Sequence, residues 1–149
     1  MDFLALAGPI LALVLAALLL LSAFTLWVVR LMGKKFRAMS GWDALAQAFP
    51  GPADTPAGTR TGPVKVGAVY FRYGPRFCPT DKGFFLVFHS VYRYPPLLIP
   101  WQAMQNPRPA MLFWRSARCL EVGNPTITSV TVLEDTWRWM EPLFQAIQN

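Results

Sequence analysis

Histidine occurs once in this chain, at His89, and cysteine twice, at Cys78 and Cys119; only eight residues are acidic against fourteen basic. A metal site built from His, Cys and carboxylates needs several ligands brought together, and no such cluster stands in the sequence. The two cysteines lie far apart and form no Cys-x-x-Cys pair. No G-x-S-x-G, H-E-x-x-H, phosphate-loop or dinucleotide signature occurs, so nothing supports a catalytic residue, a metal or a cofactor. His89 falls in the apolar run Phe84–Val91 and reads as a structural side chain inside a strand. Glu134 and Asp135 are adjacent carboxylates at a predicted helix start, where they favour the helix dipole. The deepest absence is of charge: Phe3 to Val29 carry no ionisable side chain.

In a bilayer core every backbone amide must be satisfied internally, so such a run is stable there as a helix. Its length would be about 40 Å against a hydrocarbon core of about 30 Å, enough for one crossing with tilt. Arg30, Lys34, Lys35 and Arg37 close it, Trp27 lies near that basic end, and Asp2 is the only charged side chain on the amino side. The positive-inside bias therefore puts the amino terminus outside and the remainder in the cytoplasm, as in a single-pass protein of the inner membrane. The competing reading is a cleaved signal peptide. It fits poorly, because the amino end lacks a positive segment, the apolar run is too long, and Leu21-Ser22-Ala23 is a poor cleavage site. Arg30, Lys34, Lys35 and Arg37 are the expected contacts to anionic headgroups. Cytoplasmic placement predicts free thiols, whereas the inverted topology would allow a Cys78–Cys119 disulfide.

Half of the net charge of +6 belongs to the first 37 residues, leaving a mildly basic remainder that does not suggest a nucleic-acid partner. Three regions follow: an anchor with its collar over 1–37, a short amphipathic helix and a Pro/Gly-rich linker over 38–63, and a domain over 64–149. Ser40 is the expected N-cap of the short helix, with Trp42, Leu45 and Phe49 on one side; it would lie on the membrane or on the domain. Six strands are predicted: Val64–Tyr73, Phe84–Val91, Leu97–Trp101, Met111–Arg115, Arg118–Val122 and Thr126–Leu133. Pro79 to Gly83 supplies turn chemistry between the first two. Leu133, Trp137, Met140, Phe144 and Ile147 then make the stripe of a helix buried along one side, and Pro142 implies a kink or a restart near Glu141.

Short antiparallel strands followed by one amphipathic helix give the order of a pleckstrin-homology-like (PH-like) domain, and the segment Pro96-Leu97-Leu98-Ile99-Pro100-Trp101 resembles the Ile-Pro-Trp strand of bacterial PH-like and GRAM-like domains. Small bacterial proteins with one amino-terminal membrane helix, a basic collar and such a domain are similar to this chain over about 64–148. The resemblance implies an α+β domain, a strongly bent antiparallel sheet or barrel of about six or seven strands closed by the carboxy-terminal helix. It implies a binding module, and fold alone does not fix function. The expected activity is that of a membrane-tethered, non-enzymatic adaptor or accessory module binding a protein partner or the anionic membrane surface. The alternative is a small enzyme acting on an anionic membrane-associated substrate, with His89 as base. Arginines interleaved with aromatics mark Arg72, Arg76 and Arg93 as a candidate binding surface, joined by Trp139, which points away from the buried helix stripe.

Overall fold

In the computed structural model, which describes residues 3–148, the apolar run and its basic collar form one helix of 38 residues, α1 (Phe3–Ser40). Asp2, the charge assigned to the amino side, lies outside the described residues. At 1.5 Å per residue α1 is about 57 Å long, so it outruns a bilayer core and carries the chain into the domain. Every described side chain from Gly8 to Trp27 is exposed, and this is the one described helix long and apolar enough to cross a membrane.

Gly41, at φ 70°, turns the chain into α2 (Trp42–Ala48). Ser40 ends α1 rather than starting the next helix, but its hydroxyl still accepts a hydrogen bond from the Trp42 N–H. Of the two positions open to α2, it takes the domain: Trp42 and Leu45 are buried in the main core. The Pro/Gly-rich stretch beyond it is also held at both ends. Leu98 N–H donates to Phe49 O, Gly51 N–H donates to Pro96 O, and β1 (Arg60–Thr61) pairs with a later strand.

The domain is α+β. One antiparallel sheet has the order β1, β4 (Pro75–Pro79), β5 (Gly83–Phe88), β6 (Leu97–Pro100). The other has the order β3 (Val69–Phe71), β2 (Val64–Val66), β9 (Thr128–Leu133), β8 (Arg115–Val122), β7 (Met104–Leu112). The strands thus number nine in two sheets, not six or seven in one, and no closed barrel forms among the described residues. The differences have local causes. Val64–Tyr73 is not one strand but a hairpin, because Gly67 takes φ 55° and reverses the chain with Ala68. A Cβ at Gly67 would lie 2.6 Å from Ser40 O, so the turn closes only around glycine. β4 hides between Pro75 and Pro79, at the two ends of its pairing with β5, where the missing amide donors are tolerated. Met111–Arg115 spans a turn rather than a strand. A short 3-10 turn, Trp101–Ala103, leads instead into the longer β7. Pro107 and Pro109 sit in β7 without penalty because it is an edge, bonded only to β8.

Residues from both sheets make the main core, with Phe77, Phe84, Leu86, Leu97 and Ile99 from one and Val64, Val66, Leu120, Val130 and Val132 from the other. Trp101 is fully buried and its indole N–H donates to Thr80 O at 2.9 Å, which fixes the Ile-Pro-Trp segment to the turn before β5. Helix α3 (Glu134–Gln148) packs on β8, β9, β4 and the 3-10 turn, burying Trp137, Met140 and Phe144. It runs as one helix with Pro142 inside, and Ile147 at its end is exposed.

Candidate functional site

The collar divides. Arg30, Lys34 and Lys35 are exposed, and none is in an ion pair among the described residues. Arg37 turns into the domain: its Nη1 donates to Tyr92 O at 2.6 Å and to Arg93 O at 3.2 Å. Its Nε lies 3.2 Å from Asp43 Oδ1, an attraction of charges with no hydrogen bond, since Nε is buried without a hydrogen-bond partner. Arg37 is therefore occupied with the domain, and the other three collar cations are exposed. One residue and about one turn before Arg37, α1 is tied to the loop between β5 and β6. Phe36 packs on Tyr92 at 6.2 Å between ring centroids, and a Cβ on Gly33 would meet Tyr92 Cδ1 at 2.7 Å. The glycine is what lets the ring lie against the helix.

The other four candidate residues separate. Arg93 is exposed in that same loop, at φ 48°. Arg72, just past β3, sets its guanidinium 5.5 Å from the Tyr73 ring and 5.3 Å from the Phe113 ring. Arg76 is exposed on β4, across from Val87 and Thr61. Trp139 is not an open anchor: it is half-buried, packed near Phe77, with the Arg60 guanidinium 4.1 Å above its ring. Two further arginines of the strand region, Arg115 and Arg118, pair with Asp135 and Glu134 at the start of α3. Those carboxylates hold arginines as well as favouring the helix dipole.

His89 corrects the sequence reading, for β5 stops at Phe88 and His89 is exposed beyond it. No group of three or more His, Cys, Asp or Glu side chains that could hold a metal occurs among the described residues. Cys78 and Cys119 are free thiols on different sheets. Burial pushes the Cys78 thiol up from its usual range, the Arg60 charge partly opposing, so it is a poorer nucleophile than a free cysteine.

Sequence reasoning missed the most exposed aromatic cluster as a unit. β7 and β8 are joined by a two-residue turn, Phe113-Trp114, with φ of 50° and 63°. Such turns favour Asn-Gly, and each non-glycine residue in the left-handed region costs roughly 1–2 kcal/mol. Trp114 is 94% exposed at this tip. With Tyr70, Met111 and Phe113 it lines an open depression of about 410 Å³. Phe113 packs edge-on against Tyr70, centroids 5.7 Å apart, and the Lys65 ammonium lies over the Tyr70 ring, 4.7 Å from its centroid. Two bulky aromatics where a turn prefers small polar residues are a signal that was present in the sequence.

Comparisons with protein-family models, with curated proteins and with solved structures find no match for this chain.

Proposed function

We propose that the chain is a single-pass, membrane-tethered binding module of the inner membrane that works without catalysis, its PH-like domain held in the cytoplasm against the anionic leaflet. The observation that carries this reading is the continuity of α1. The helix passes without a break from an apolar, uncovered segment into the domain, where Arg37 and the Gly33–Tyr92 contact lock it. A soluble protein would leave that apolar surface in water at a large cost, since about 25 cal/mol is lost per Å². The outward Arg30, Lys34 and Lys35 favour the anionic side of the bilayer, at about 1 kcal/mol each near the surface. Two antiparallel sheets followed by a helix that touches both, with Ile99 and Trp101 of the Ile-Pro-Trp segment buried in the main core, support the PH-like assignment.

The test is a carboxy-terminal fusion of green fluorescent protein or alkaline phosphatase in a bacterial host, with membrane fractions washed in alkaline carbonate. Fluorescence without phosphatase activity, in washed membranes, is the expected result. Phosphatase activity would reverse the orientation, and a mature protein lacking α1 would overturn the tether.

A further inference from the structure

α1 does more than hold the domain; it fixes which end of the domain looks back at the membrane. Ala68 N–H lies 3.5 Å from Met39 O, at the carboxyl end of the helix and the start of β3. Six residues earlier, Gly33 lies against Tyr92 in the loop that follows β5. Past its far end β3 leads to Gly74, where a Cβ would meet the Phe88 ring at 2.8 Å, and to Pro75, paired with Phe88 just before that loop, so moving along β3 from Ala68 leads to the strand ends beside the Tyr92 loop. From Ala68 to Arg72 is about 13 Å of strand, and the same distance along α1 from Met39 reaches Arg30. The tip of the β7–β8 hairpin belongs to this end too, because Phe113 touches both Tyr70 and the Arg72 guanidinium. Val91 and Arg93 flank the Tyr92 that rests on α1.

This end carries side chains that water does not favour. Tyr73 is 77%, Val91 78% and Trp114 94% exposed, and neither Arg72 nor Arg93 is in an ion pair among the described residues. Asp135, at the start of α3, is held by Arg115. Tyr and Trp beside unpaired arginines is the composition of a headgroup layer contact, and the strained Phe113-Trp114 turn is what projects the indole. We propose that the rim formed by Tyr73, Val91 and Trp114, with Arg72 and Arg93, sits in the headgroup layer of the same anionic leaflet from which α1 emerges. The protein then grips its bilayer at two places, and the domain has one fixed face toward it. This inference rests on the membrane-tether reading, which its test separates from it.

The full chain is placed in nanodiscs of anionic or zwitterionic lipid, with and without brominated acyl chains, and tryptophan quenching is compared among wild type, Trp114→Phe and Trp27→Phe. Differences from wild type isolate Trp27 and Trp114. The expected result is bromolipid quenching of both, with the Trp114 component falling severalfold in zwitterionic discs while the Trp27 component is unchanged. If Trp27 is quenched while Trp114 stays open to aqueous acrylamide in anionic discs, the rim faces water or a protein partner and the proposal is overturned with the tether intact. If neither is quenched, the tether fails and the proposal with it. Trp114 is exposed, so its replacement leaves the fold to report.

Discussion

Replacing Trp42 by alanine asks whether the domain begins at α2 or at β2. Trp42 is 1% exposed and packs edge-on against Tyr94 at 4.9 Å and Phe71 at 5.4 Å. Truncating a buried tryptophan costs about 3–5 kcal/mol, transfer and cavity together. Its indole N–H also donates to Pro95 O at 2.8 Å. Pro95 is itself exposed, so water takes over that carbonyl and the lost bond adds no more than about 1 kcal/mol. The total, about 4–6 kcal/mol, is a large share of the 5–15 kcal/mol that holds a typical domain. For a domain near 100 residues it lowers Tm by roughly 15 °C or more. Urea and thermal unfolding of the detergent-solubilised chain, followed by circular dichroism, measure it. Trp42→Phe keeps most of the ring and should recover most of the loss, and Gln47→Ala, at an exposed position of the same helix, should stay within about 0.5 kcal/mol of wild type. A loss below about 1 kcal/mol for Trp42→Ala would refute the reasoning and make α2 an appendage of a core that starts at Val64.

Gly33→Leu should loosen the loop between β5 and β6. The aromatic contact of Phe36 with Tyr92 and part of the Arg37 bond are lost, against about 1 kcal/mol gained by removing a helix glycine, for a net opening of about 1–3 kcal/mol. Hydrogen exchange at the Arg93 amide, bonded to Ser90 O, reads this directly, and unchanged protection there would contradict it. Stability should also fall in alkali. Burial raises the Cys78 thiol and the Tyr94 phenol, so the folded chain holds those protons longer than the unfolded one. Their contribution is whole below the ordinary thiol value of 9.0 and is lost as pH rises past it, Tyr94 following from 10.0 upward. The urea midpoint should drop as pH rises above about 9, and Cys78→Ala should flatten the first part of that drop; a midpoint that holds steady would count against it.

The parts of the fold legible in the sequence are those where composition alone decides. An uncharged run from Phe3 to Val29 has few stable forms, and a stripe through Trp137, Met140 and Phe144 can only be one side of a helix. β9 and β6 were readable as strands for the same reason, but Val130–Leu133 are all buried, so β9 is covered on both faces where its residue types alternate. What escaped depends on contacts from far along the chain. Nothing local in Val64–Tyr73 announces a reversal; Gly67 turns there because Ser40 O occupies the space a side chain would need. His89 sits in an apolar run, yet β5 ends one residue earlier where its partner β4 begins at Pro75. Of the candidate surface, the collar was visible as charge, but Arg37 is drawn inward by carbonyls 55 and 56 residues away. Trp139 points off the buried stripe as expected, and is covered by an arginine from β1, a strand with no sequence signature.

The unbroken passage of α1 into the domain has a consequence for encounter. A coil of a dozen residues would let the domain sweep a hemisphere of roughly 20 Å about its anchor, sampling every orientation. Here the Pro/Gly-rich stretch that looks like such a leash comes after the lock at Arg37 and is itself pinned to β6 and β4. With α1 in a bilayer, the domain would slide in the plane and spin about the axis of its helix, but it would not tumble or reach. Under the proposed tether, anything that meets it would arrive at one height above the lipid and on one side, a two-dimensional search whose geometry the helix sets in advance.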